Sequence, residues 1–398
     1  MDVNAAASAR AELEARFESM LEFCVDRDGS DLHLTPGLAP HLRVHGELDP
    51  IPGSAVLSRA DLRILGAALL ARISGGIKRE PQELDALLEE TGSFDGAFTA
   101  RDGTRYRINI FRRQADWAVA LRRLEERFQT LGELGLPESL YRFSDLRDGL
   151  IVISGPTGAG KSTTLATLMD RINRTRTGHI VTIEDPIEYL HHPVRCVVNQ
   201  RQVGLDTPSF NDALVAALRQ DPDFILVGEI RDLETIRTAI TAAETGHLVF
   251  TTLHAGDCVS SVERLVSVFP ADEQDGIRRQ LSLVMRGIVA QHLLPAAENP
   301  EGGERRRVVA SEILQVTPAI ANLVATGKSA QIYSAMEMGG GNGMQTLEQD
   351  LARLWTAGRI GETAAVAMAR NVSVLRDRAE LIRRRGTRVP AETAGRHG

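Results

Sequence analysis

The chain has 398 residues, 43% of them hydrophobic and 25% charged, with 46 Lys and Arg against 53 Asp and Glu and a net charge of −7. This is the composition of an ordinary folded chain of about two or three domains, and its acidic balance removes any global electrostatic case for a nucleic-acid partner. No apolar run reaches the ~18 residues of a spanning helix, the start Met-Asp-Val-Asn-Ala has no leader character, and the three scattered cysteines (Cys24, Cys196, Cys258) suit a reducing cytoplasm.

Taken in order, Ala5 to Cys24 reads as an amphipathic helix with Leu13, Phe17, Met20 and Leu21 on one face. Asp31-Leu-His-Leu and His41-Leu-Arg-Val-His alternate polar and apolar around the Pro36-Gly37 turn, as two half-buried strands do. Ser58 to Ile73 is expected to be a helix capped by Ser58. Phe94 to Thr99, Arg105 to Phe111 and Trp117 to Leu121 continue the strand signal, so roughly the first 125 residues form a small α+β domain. Thr130-Leu-Gly-Glu-Leu-Gly-Leu-Pro137, punctuated by Gly and Pro, is expected to be a linker.

The stretch Gly155-Pro-Thr-Gly-Ala-Gly-Lys-Ser162 matches the phosphate-loop pattern G-x-x-x-x-G-K-[ST] at every fixed position. It is preceded by an apolar strand, Leu150 to Ser154. Behind it, Leu165, Leu168, Met169 and Ile172 recur at helical spacing. A strand, a Gly-rich turn and a helix N-terminus make an anion site, because backbone N–H groups and the helix dipole point at phosphate oxygens. The expected cradle is Gly155, Thr157, Gly158, Ala159, Gly160, Lys161, Ser162 and Thr163. Lys161 would reach the outer phosphates of ATP, and the Ser162 hydroxyl would hold Mg²⁺.

Beyond the loop, strand runs (His179 to Ile183, Phe224 to Val227, Leu248 to Thr252) alternate with helical stretches around Asp212 to Arg219 and Asp232 to Glu244. That alternation predicts a parallel sheet with helices on both faces. Ile183-Glu-Asp-Pro-Ile-Glu188 and Phe224-Ile-Leu-Val-Gly-Glu229 place carboxylates after strands, at the edge where ligands bind. The second has Gly228 where an Asp is usual. His254 lies past the carboxyl end of another strand, and His247 lies at its start, farther from the edge. After Asp272 the pattern reads mostly helical, with one strand candidate at Arg307 to Leu314. Residues 370–398 hold eight Arg and three Asp or Glu, read as a solvated terminal helix and tail.

Four stretches together resemble the ATPases of type II secretion and type IV pili. They are Gly155 to Thr164, Thr182 to Glu188, Asp221 to Thr235 and Ala243 to Ala255, similar to that family's Walker A, Asp box, Walker B and His box in family order. Ser30-Asp-Leu-His-Leu and Gly343-Met-Gln-Thr-Leu347 extend the likeness over residues 28 to 371. The resemblance is strongest to the pilus retraction group, because Gln291 to Gly303 has no cysteine where the assembly and secretion relatives carry a four-cysteine zinc insertion. Ala319-Ile-Ala-Asn-Leu-Val-Ala-Thr326 departs from the group's A-I-R-N-L-I-R-E segment, which allows a divergent or accessory branch.

The resemblance implies a homohexameric, ATP-hydrolysing motor for pilus retraction, with pilus assembly or type II secretion as the alternative. It implies an α/β fold: a PAS-like α+β domain (1–128), a linker (129–147), a RecA-like ATPase domain with C-terminal helices (148–371) and a basic helix or tail (372–398). The implied partners are an inner-membrane pilus platform protein and a possible second retraction ATPase, with the motor peripheral at the cytoplasmic side of that membrane. Glu188 would polarise the attacking water, Glu229 would help hold Mg²⁺, and His254 would read the nucleotide state. Arg105, Arg107 and Arg122 are the arginine candidates from the first domain.

Overall fold

The computed structural model describes residues 3–73, 81–114, 116–124, 127–297 and 307–386. Part of the cysteine-free stretch and the last residues of the basic tail therefore lie outside the described residues. Two compact units form: residues 1–127, 185–191 and 201–208 make the first, and residues 128–184, 192–200 and 209–398 the second.

The first unit runs α1 (Val3–Asp26), β1 (Asp31–Leu34), β2 (His41–Val44), β3 (Glu47–Pro50), α2 (Arg59–Ile73), α3 (Pro81–Thr91), β4 (Ser93–Thr99), β5 (Arg105–Arg113) and β6 (Asp116–Arg123). Its sheet is antiparallel, in the order β3-β2-β1-β6-β5-β4. Period-two alternation on β5 buries Tyr106, Ile108 and Ile110 against Phe17, Leu21, Leu62, Leu65 and Phe98. The opposite face of the same strand carries Arg105, Arg107 and Asn109, as the pleat requires. Ser58 caps α2 as expected, its Oγ accepting from Asp61 N at 3.1 Å while Asp61 Oδ2 accepts from Ser58 N at 2.8 Å.

The second unit opens with α4 (Arg142–Asp145), β7 (Gly149–Ser154), α5 (Lys161–Thr175), β8 (Gly178–Glu184), β9 (Cys196–Gln202), α6 (Phe210–Ala217) and β10 (Phe224–Val227). It continues through α7 (Leu233–Glu244), β11 (Leu248–Leu253), α8 (Cys258–Ser267), α9 (Gln274–Val284), β12 (Met285–Pro295) and β13 (Arg307–Gln315), and ends in α10 (Pro318–Ala325), α11 (Ala330–Met338), α12 (Leu347–Thr356), α13 (Glu362–Met368) and α14 (Val372–Gly386). The sheet order is β13-β12-β7-β11-β10-β8-β9, with β12, β7, β11, β10 and β8 mutually parallel and β13 antiparallel to β12. β7, β10 and β11 are buried along their whole length, which is why they read as continuous apolar runs.

Two expectations need amendment. Met285 to Pro295, read as part of a helical region, is an 11-residue strand beside the phosphate-loop strand. It is buried on both faces, so no period-two alternation marks it, and the buried polar Gln291 and His292 break the continuous apolar run. The stretch read as a linker supplies Leu131, Leu136, Leu140 and Phe143 to the second unit's core, and its Gly and Pro shape turns within that unit. The first unit, conversely, takes in residues 185–191 and 201–208 from beyond the phosphate loop.

Candidate functional site

Gly155 follows β7 and passes close under β12. A Cβ there would lie 2.4 Å from the Gln291 carbonyl oxygen, so only glycine fits. Gly160, at φ 85°, is the N-cap of α5 and offers no side-chain cap, so the helix begins with its N-terminus turned to the loop, where an anion is favoured. Lys161 is the first residue of α5 and is 9% exposed. Its Nζ donates to the carbonyls of Gly155 and Pro156, 3.0 Å each, and so lies across the loop. Burial holds its pKa below the ordinary lysine value, and Glu229 opposes the shift. Ser162 is exposed and Thr163 half-buried at the mouth of the cradle. Beneath them the fully buried Gln291 donates from Nε2 to Thr164 Oγ1 at 3.0 Å.

The parallel register gathers the remaining groups at one edge. Ser154 pairs with Leu253, and Val227 with Thr251, so Gly155, His254 and Glu229 leave three neighbouring strands at their carboxyl ends. Glu229 is half-buried. Its Oε2 lies 2.8 Å from Arg231 Nη2 and 3.7 Å from His254 Nε2. Burial, then the Lys161 ammonium, depress the His254 pKa, with Glu229 acting against them. Arg264 on α8 donates to the His254 carbonyl at 2.9 Å and fixes its backbone. His247 is committed at the strand's start, bonded to the Ala242 carbonyl at 2.9 Å and to Thr245.

Gly228, standing where an Asp is usual, also has a packing reason. Its N–H donates to the Ile183 carbonyl at 2.8 Å, and a Cβ would sit 3.2 Å from that same oxygen. Glu229, one residue on, is the first acid after β10. The donor set fits a nucleotide with a hard cation. The loop offers a glycine cradle, an open helix N-terminus and a buried ammonium for phosphates, while the Ser162 hydroxyl and Glu229 carboxylate are hard oxygen donors suited to Mg²⁺.

A second group lies within the first unit. Glu188 Oε1 is 3.4 Å from Arg107 Nη1, both partly exposed. Arg105 is buried instead. Its Nε and Nη2 donate to the Ile187 carbonyl at 3.2 and 3.0 Å, which pins the segment carrying Glu188. Arg105 is thus placed as a positioning group rather than one facing outward. Arg122 stands directly opposite Arg107 on the neighbouring strand and lies 2.8 Å from Asp31, with its side chain 68% exposed. Sequence reading missed Arg231, Arg264 and Gln291. Arg231 lies inside a motif already noted, Arg264 reaches the site from α8 through the His254 carbonyl, and Gln291 is brought there by the sheet.

A family model described as "Type II/IV secretion system protein" matches residues 104–352. The chain is 43% identical to the "Type IV pilus retractation ATPase PilT" of Pseudomonas aeruginosa, over 87% of this chain and 96% of that protein. It is 40% identical to the "Type IV pilus ATPase PilU" of the same organism, over 90% of each. Among solved structures, that of the pilus retraction motor PilT with bound ADP superposes with a TM-score of 0.80 at 39% identity, covering 90% of this chain and 98% of that one.

Proposed function

We infer the function from one premise: the chain belongs to the type II/IV secretion system protein family. It is an ATPase of the pilus retraction kind, and its hydrolysis of ATP is coupled to mechanical work on a type IV pilus. The observation that carries this reading is the convergence of Lys161, Glu229 and His254 at the ends of three adjacent parallel strands, in a chain 43% identical to a retraction ATPase over nearly its whole length.

In the proposed mechanism, the backbone N–H groups of residues 158–163 bind the phosphates and Lys161 neutralises their outer oxygens. Ser162 and Glu229 would hold Mg²⁺, which would supply further charge neutralisation at the phosphates. Glu188 orients the attacking water and takes its proton. Arg107 and Arg122 place positive charge at the reacting phosphate, and Arg105 positions the Glu188 segment. His254 reads the nucleotide state through Glu229.

The same proposal includes a PAS-like first domain and a RecA-like second domain, the stretch read as a linker belonging to the second. It also includes a homohexamer at the cytoplasmic face of the inner membrane, acting on a platform protein there. Among the described residues no helix is long and apolar enough to cross a membrane, so attachment would run through a partner.

A specific observation favours an accessory variant of this reading. α10 buries Ile320 and Val324 and carries half-buried Ala321 and Ala325 where the retraction group has arginines. The test is imaging of labelled pili in cells where this chain is the sole ATPase of the retraction group. Shortening pili are expected. Pili that extend and never shorten would reduce the protein to an accessory subunit, and cells that fail to extend pili would make it an assembly motor.

A further inference from the structure

His254 leads into the turn Ala255-Gly256-Asp257, and Asp257 caps α8 by accepting from Ser260 N at 2.6 Å. Side chains from three distant parts of the second unit close on this turn. On β12, His292 Nε2 donates to the Gly256 carbonyl at 2.9 Å. On β13, the fully buried Glu312 accepts from Cys258 N–H through Oε1 at 2.9 Å. From the segment between α13 and α14, Arg370 Nη2 lies 3.1 Å from the other Glu312 oxygen, 3.4 Å from the Gly256 carbonyl and 3.6 Å from Asp257 Oδ2. The Arg370–Glu312 contact is close enough for a hydrogen bond but lacks its geometry, so it acts as an ion pair and Glu312 Oε2 accepts no hydrogen bond among the described residues. Burial raises the Glu312 pKa and Arg370 opposes that shift.

The other end of Arg370 is fixed as firmly. Arg370 N–H and Asn371 N–H donate to Glu348 Oε1 at 3.0 and 3.2 Å. Glu348 lies on α12, is fully buried, and accepts through its second oxygen from the Tyr333 hydroxyl of α11. One residue therefore has its backbone locked to α11 and α12 and its guanidinium locked to the turn that carries His254. Along this route the carboxylates of Glu312 and Glu348 and the residue Cys258 are buried, and the more exposed Arg370, Asn371 and Gly256 are tied to them by the contacts above.

We propose that Arg370 is a positioning residue that couples the His254 turn to helices α11–α14, so that a shift at the nucleotide site is delivered to the C-terminal helices. This rests on the reading of Lys161, Glu229 and His254 as the nucleotide site. The competing role is that of a counter-ion to buried Glu312, and the two roles separate on a double variant. Removing Arg370 alone leaves a buried carboxylate unpaired and lowers stability. Glu312→Gln removes that charge while its amide oxygen can still accept from Cys258.

The test measures ATP turnover and the hydrogen-exchange footprint of ADP in the full-length protein, for Arg370→Ala, Arg370→Lys and Arg370→Ala with Glu312→Gln. In the wild type, ADP is expected to protect residues 155–164 and also α12. The double variant should regain thermal stability, keep the footprint at 155–164 and a KM within about twofold, yet lose the α12 footprint and about tenfold in kcat. Arg370→Lys, which keeps the charge, should recover part of kcat. A double variant with wild-type kcat and an intact α12 footprint would make Arg370 a counter-ion only and overturn the proposal. A wild-type protein with no footprint at 155–164 would overturn the nucleotide reading itself, and this proposal with it.

Discussion

Lys161 is a buried ammonium that donates to two carbonyls of its own loop, so its charge is available to an incoming phosphate. Lys161→Ala should abolish nucleotide binding, seen as loss of the signal in calorimetry with ADP. Glu188 is partly exposed and forms an ion pair with Arg107. Glu188→Gln preserves shape and removes the base, so ATP should still bind while turnover falls by about a hundred- to ten-thousand-fold. Near-normal turnover in that variant would move the water-orienting role to Glu229. Lys161 and Glu229 stand in motifs legible without coordinates. The placement of Arg105 is not, since a strand arginine facing solvent and one buried on a carbonyl have the same spacing.

β12 carries both the floor of the phosphate loop, through Gln291, and one clamp of the His254 turn, through His292. Burial is the main cause that depresses the His292 pKa, Arg370 adds to it, and the Gly256 carbonyl opposes it. The sign follows from linkage. Below about pH 6.5 the unfolded chain takes a proton on this histidine that the native one refuses. Stability should therefore fall as pH drops from about 6.5 through the lower native value, with a slope of at most about 1.4 kcal/mol per pH unit. His292→Gln, which can still donate to Gly256, should flatten that part of the profile. Thermal melts between pH 5 and 8 for both proteins supply the check, and identical slopes would assign the pH dependence elsewhere. This strand was hidden from sequence reading because the buried Gln291 and His292 interrupt the apolar run that marks a strand covered on both faces, and no alternation replaces it.

For the whole molecule, the chain matches a retraction ATPase over 87% of its length, while its own two units carry the candidate groups separately. If Arg107 or Arg122 acts on a nucleotide within a ring, activity should depend on assembly. Arg107→Ala protein mixed with wild type should then lower ATPase activity by more than its mole fraction. A linear decline, or full activity in a monomer isolated by light scattering, would defeat the ring reading.

The phosphate loop, the acids after β8 and β10 and the alternating order of the second unit were readable because each is a local pattern. Glycines at fixed spacing have few other uses, and a strand buried on both faces followed by a periodic helix can be recognised within about thirty residues. The Ser58 cap belongs to the same class. What the folded chain alone decided is which distant segments meet. Parallel pairing brings Gly155, Glu229 and His254 to one edge although they are spread over a hundred residues of chain. Residues 185–191 leave the sheet of the second unit and join the first, where Arg105 binds the Ile187 carbonyl. Gln291, Glu312 and Arg370 acquire their roles only by packing, since buried hydrogen bonds between far segments impose no periodicity on the sequence that bears them.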